Sequence, residues 1–187
     1  MKRIKLITIT TIILILAIVI LNKAVADKGR NLETSNKIYS YMKQERNQNL
    51  VFKDAISLND NKTSNACVYF VGEVLRKNNI SIPKETANTA QLISVLKNKG
   101  WKKDNDYKNL KPGDIVFTTD GLGNKNGVPS HAYVFMKWVK DGNYDYAYIC
   151  DNQAKDYKNK TYHIRNIKNI DYVSGISKDA FSFFMRQ

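Results

Sequence analysis

The chain has 187 residues, with 30 Lys and Arg against 17 Asp and Glu and a formal charge of +13. That length suits one domain plus an N-terminal extension, and two histidines with two cysteines at no close spacing offer no metal-ligand set. The positive surplus points to an anionic partner or to a solvated, lysine-rich face, but the lysines are scattered and no nucleic-acid-binding motif occurs, so nucleic acid is not the expected partner.

Met1 to Lys5 is basic, Leu6 to Leu21 contains no charged residue, and Asn22 to Ala26 ends in a small-x-small tripeptide. This order matches an export signal cleaved after Ala26, or an anchor that stays in the membrane through residues 6–21. Either places the remainder outside the cytoplasm, secreted or held at the envelope. Without residues 1–26, 26 basic residues still face 17 acidic ones. Asp27 to Arg30 reads as a tether. Leu32 to Gln44 has a near-helical apolar period, the polar run Glu45 to Asn49 is expected to break it, and Leu50 to Leu58 is expected to add a helical turn or two.

The next stretch carries the chemistry. Thr63, Ser64 or Asn65 is expected to cap a helix beginning near Cys67, with Val68, Val71, Val74 and Leu75 on its buried stripe. A cysteine in the first turn lies at the positive end of the helix dipole, which favours the thiolate. Thr86 to Asn98 reads as a second helix, stopped by Gly100 as a left-handed cap, and Lys102 to Asn109 as a loop. From Pro112-Gly113 the pattern turns to β. Ile115 to Thr119 is a strand, Asp120 to Ser130 a glycine-rich loop, His131 to Trp138 a second strand, Asp141-Gly142-Asn143 a turn and Tyr144 to Cys150 a third strand. Asp151 to Asn159 reads as a polar connection, and Thr161–Ile164 and Phe181–Met185 as shorter strands. Helices first and an antiparallel sheet second make an α+β domain.

A nucleophilic cysteine needs a base and a group that orients the base. His131 opens a strand after a loop and is preferred over His163. The orienting group comes from Asp151, Asn152 or Gln153, and Asp151 is preferred because a carboxylate also stabilises the imidazolium. Strand alternation puts Asp151 and Gln153 on one face, Cys150 and Asn152 on the other. If Asn152 faces inward, Cys150 does too, and a Cys67–Cys150 disulfide becomes feasible. The backbone N–H of Cys67 is a candidate oxyanion donor, with Asn61, Ser64 or Asn65 as sources of a second. Tyr69 is a candidate groove residue, although strand and core-edge packing explains most of the tyrosines.

Three segments in order, Asn65-Ala66-Cys67-Val68-Tyr69-Phe70-Val71, Leu110-Lys111-Pro112-Gly113-Asp114-Ile115-Val116-Phe117 and Ser130-His131-Ala132-Tyr133-Val134-Phe135, resemble the NlpC/P60 and CHAP superfamily. These are papain-like cysteine peptidases and amidases that cut bacterial peptidoglycan. The likeness covers residues 61–153. It implies a papain-like domain over residues 61–187 after an N-terminal helical segment, 27–60, with the nucleophile helix packed on a small antiparallel sheet. It also implies Cys67 as nucleophile, His131 as base and the third residue within Asp151–Gln153. Two positions depart from the usual pattern. Ser64-Asn65-Ala66 stands where an aspartate and a glycine or serine are common, and His131-Ala132-Tyr133 where His-Val-Gly or His-Val-Ala is common. The expected function is hydrolysis of stem-peptide amides by a monomeric, cofactor-free enzyme whose partners are peptidoglycan and anionic wall polymers. A disulfide-stapled, catalytically silent wall-binding domain and an acyltransferase on the same scaffold are the competing expectations.

Overall fold

The computed structural model describes the backbone of residues 2–187 and the side chains of residues 12–23, 25 and 32–187. Two compact units divide the chain, Met1–Glu33 and Thr34–Gln187. The first is formed by the leading part of helix α1 (Lys2–Met42). Asp27 to Arg30, expected as a tether, are helical residues of α1. Among the described residues no helix is long and apolar enough to cross a membrane. The cleavage site at Ala26 and the first eleven residues of the export segment lie outside the described side chains.

The second unit is an α+β domain. The run Glu45 to Asn49 does not break the helical region as expected; it starts helix α2 (Glu45–Leu58). Gln48 Nε2 and Asn47 Nδ2 donate to the Met42 and Tyr41 carbonyls, at 2.8 and 2.9 Å, and so satisfy the end of α1. Helix α3 (Cys67–Lys77) buries Val68, Phe70, Val71, Val74 and Leu75. In helix α4 (Thr89–Asn98), Asn88 caps the start by accepting from the Gln91 N–H at 2.9 Å. Gly100 ends that helix at φ +83°, where Gly100 N–H donates to the Lys97 carbonyl and Trp101 N–H to the Leu96 carbonyl.

Strands β1 (Lys102–Asp104), β2 (Ile115–Thr118), β3 (Ala132–Lys140), β4 (Asn143–Cys150), β5 (Tyr162–Asn166) and β8 (Phe181–Arg186) form one sheet in the order β1-β8-β2-β3-β4-β5, all neighbours antiparallel. Strands β6 (Asp171–Val173) and β7 (Ile176–Lys178) make a separate hairpin. β1 and this hairpin were not expected from the sequence. β1 is short, polar and exposed, and its pairing with β8 supplies what its composition does not.

Both faces of the sheet are covered. Ile115, Phe117, Ala132, Val134, Met136 and Cys150 pack with α1–α4, whereas Val116, Tyr133, Phe135, Ala147 and Ile149 pack with Leu110, Ile167 and Phe184 on the other face. The Pro-Gly-Asp turn is a structural joint. At Gly113, φ is +91° and an added Cβ would meet the Ser35 carbonyl oxygen at 1.8 Å. Asp114 accepts from Ser35 Oγ, the Lys111 N–H and Arg186 Nε at 3.1, 2.8 and 2.7 Å, which ties the end of α1 and the last strand to the start of β2.

Candidate active site

Cys67 is the first residue of α3, and the cap differs from the expectation. Ala66 is the N-cap and makes no side-chain bond, while Asn65 before it takes a left-handed conformation at φ +56°. With no capping oxygen, the first-turn N–H groups remain available. The His131 ring and the N–H groups of Ala132 and Val68 lie beside the Cys67 sulfur and favour its charged form. Burial alone would push the thiol up, but the His131 bond and charge and the two backbone donors outweigh it, so the thiol lies below its ordinary value.

His131 stands just before β3, held by two backbone bonds to Thr118, where its carbonyl accepts from the Thr118 N–H and its N–H donates to Thr118 Oγ1, both at 3.1 Å. Its Nε2 lies 2.8 Å from Asp151 Oδ2, which leaves Nδ1 for the cysteine. Burial disfavours the imidazolium, but Asp151 and Cys67 overcome that and raise His131 to about 9. Asp151 is fully buried just past β4. Burial opposes its charge, yet the His131 bond and the nearby His163 and Arg165 hold it at about 2. Register explains the meeting. Val134 pairs with Cys150 and Ile149 with His163, so His131 and His163 are diagonal neighbours of Asp151 on one face.

Both histidines therefore converge on one carboxylate. His163 Nε2 is 3.7 Å from Asp151 Oδ1, its Nδ1 donates to the Lys160 carbonyl at 3.0 Å, and its ring stacks on Tyr157. Burial keeps His163 below the ordinary histidine value, and nothing brings it to Cys67. Of the two histidines, His131 is the cysteine's partner.

A cavity of about 180 Å³ opens on the sulfur, lined by Asn65, Cys67, Ser130, His131, Asn152, Gln153 and residues from β5 and the β6–β7 hairpin. A larger cavity of about 910 Å³, between the end of α1 and residues 77–81, is lined by neither cysteine nor histidine. Asn65 is the one candidate oxyanion or groove residue that reaches the Cys67 cavity. Asn61 and Ser64 are exposed and absent from its walls, and Tyr69 packs against the helix-side core. Asn152 and Gln153 line the cavity, but the His131 bond belongs to Asp151. Cys67 and Cys150 are both free thiols, so the feasible disulfide is not formed. Cys150 faces the helix-side core while Asp151 turns to His131, as alternation requires.

Arg165, Ser177, Lys178 and Asp179 were not anticipated in the site. For Arg165 the signal was present: Tyr162-His163-Ile164-Arg165 alternates, which places His163 and Arg165 on one face. For the hairpin the signal was its Ser174-Gly175 turn, where both residues have positive φ. Comparison with known proteins matches the chain to no protein family, no curated protein and no solved structure.

Proposed function

We propose that the protein is a cysteine hydrolase of papain-like type that cleaves amide bonds, and that its substrate is bacterial peptidoglycan. One observation carries the catalytic reading. A helix-start thiol lies beside a buried imidazole that is hydrogen-bonded to a buried carboxylate, in the order Cys67–His131–Asp151. The shifts along that line favour thiolate beside imidazolium, the state needed for attack. The wall substrate rests on the resemblance to NlpC/P60 and CHAP enzymes, on the export-type N-terminus and on the positive charge.

The Cys67 thiolate adds to the amide carbonyl, and the uncapped start of α3 offers backbone N–H groups to the developing oxyanion. His131 then protonates the leaving amine, the C–N bond breaks, and a thioester remains on Cys67. Water, deprotonated by His131, attacks the thioester and releases the acid with the thiol. Asp151 holds the imidazole's orientation and its charge throughout. The free thiols of Cys67 and Cys150 support this reading over the disulfide-stapled wall-binding domain. Digestion of purified cell walls, with mass spectrometry of the released muropeptides, tests the proposal. New amino termini are expected with the parent chain and none with Cys67→Ala, and equal lysis by the two would overturn it.

A further inference from the structure

His131 stands where a glycine-rich loop meets the sheet, a place where backbone is ordinarily loose. Its ring must nevertheless stay fixed between Cys67 and Asp151, because a small displacement of a reacting group is costly. The pairing of β2 with β3 runs out at Phe117 and Ala132, one residue short of the histidine. Beyond it the Thr118 N–H still donates to the His131 carbonyl, but the His131 N–H ends on a side chain, Thr118 Oγ1, at 3.1 Å.

Thr118 Oγ1 lies in turn 3.0 Å from Ser130 Oγ, and Ser130 Oγ donates to the carboxylate of Asp179. The last member sets the direction of this row. A carboxylate only accepts, so the single Ser130 hydroxyl proton points at Asp179. Ser130 Oγ is then the acceptor for the Thr118 hydroxyl, and Thr118 Oγ1 keeps a lone pair for the His131 N–H. Every bond runs the same way, from His131 through Thr118 and Ser130 to Asp179, and bonds so aligned strengthen one another. The Thr119 carbonyl, also 3.0 Å from Thr118 Oγ1, is the competing acceptor. Without a carboxylate to draw the Ser130 proton, that competitor wins more of the Thr118 hydroxyl and the row loses its direction.

Asp179 is itself held from several sides. Arg165 Nη2, from β5, donates to its carbonyl at 2.6 Å. Just after it, the Ala180 carbonyl accepts from the Thr119 N–H at 2.8 Å, and the Phe181 N–H donates to the Ile167 carbonyl at 2.7 Å. The carboxylate therefore stands on backbone tied to the ends of β2 and β5, in the wall of the cavity it shares with Ser130 and His131.

We propose that Asp179 is a positioning residue for His131, acting through the Ser130 and Thr118 hydroxyls and not on the reacting atoms. This role rests on the cysteine-hydrolase reading and adds to it a second carboxylate: Asp151 holds the imidazole ring, and Asp179 holds the backbone that carries it.

The test is the rate of Cys67 alkylation by iodoacetamide across pH, in the full chain and resolved by peptide mass spectrometry. It compares the parent with Ser130→Ala, Ser130→Thr, Asp179→Asn and the variant combining Ser130→Ala with Asp179→Asn. Ser130→Ala and Asp179→Asn should each lower the rate at pH 7 about threefold, the scale of one partly exposed hydrogen bond to a charge, and move the Cys67 onset upward. The combined variant should lose no more than either single one, since both break the same row. Ser130→Thr keeps the hydroxyl and should keep the parent rate and onset. A mere loss of packing would lower the denaturant midpoint without moving that onset. If Asp179→Asn does not fold, the two Ser130 variants decide alone. An unmoved onset in Ser130→Ala, equal losses in Ser130→Ala and Ser130→Thr, or a combined loss equal to the product of the single losses overturns the positioning role while the nucleophile stands. A parent Cys67 inert to iodoacetamide removes the hydrolase reading and this role with it.

Discussion

Two cysteines lie in the same hydrophobic cluster, and their surroundings push them in opposite directions. Cys150, the last residue of β4 and paired with both neighbouring strands, is fully buried; burial and the adjacent Asp151 charge push its thiol well above the ordinary value. Cys67 suffers the same desolvation, but it occupies a helix start with two backbone donors and an imidazole against its sulfur, and its thiol goes down. Burial is common to both. What separates them is the His131 imidazole beside Cys67, helped by the N–H groups of Ala132 at the start of β3 and Val68 at the start of α3, whereas the Cys150 thiol has only burial and the Asp151 charge around it.

The largest expected effect comes from removing the sulfur. Cys67→Ala should abolish neutral-pH alkylation and lower wall hydrolysis by about 10³-fold or more, read by muropeptide release. Next, His131→Ala should leave Cys67 with desolvation and few compensations, much as Cys150 is now. Its alkylation rate at pH 7 should fall about 10²-fold, measured with iodoacetamide. Asp151→Asn keeps the shape but removes the carboxylate that sustains the imidazolium, so the loss should be smaller, about tenfold or more in the same assay. The smallest effect belongs to Cys150→Ala, which should leave the Cys67 rate unchanged and lower stability by about 1 kcal/mol in a denaturant titration.

The pH dependence sharpens the contrast. His131 is raised in the folded state to about 9, so its contribution to stability is full below the ordinary value of 6.5 and disappears as pH rises through about 9. Asp151 is lowered to about 2 from 3.8, so its contribution of about 2 kcal/mol is present above 3.8 and disappears as pH falls through about 2. Denaturant midpoints should therefore decline at both extremes in the parent, and the alkaline decline should weaken in His131→Ala. An alkaline decline of the same size in that variant would assign it to another group.

Much of the site was legible in the sequence because its parts are local. The amphipathic run after Cys67 announces its helix, the Pro-Gly turn announces β2, and strand parity alone ties Asp151 to one face and Cys150 to the other. The N-cap was misread because three capping-type side chains precede Ala66 and none caps; Asn59 Nδ2 instead takes the Lys62 and Ser64 carbonyls and shapes that loop locally. The meeting of His131 and His163 on one carboxylate depends on the register of three strands, which composition does not encode. Lys178 and Asp179 enter the cavity only because a two-stranded hairpin with little apolar pattern returns to the sheet.

The most direct test is the pH dependence of alkylation at Cys67 and Cys150, resolved by peptide mass spectrometry in the parent and in His131→Ala. In the parent, Cys67 should react with an onset below the ordinary thiol value of 9.0 while Cys150 stays unmodified, and His131→Ala should move the Cys67 onset above 9.0. A parent onset at or above 9.0, or one that His131→Ala leaves in place, would contradict the assignment of Cys67 and His131 as an ion pair.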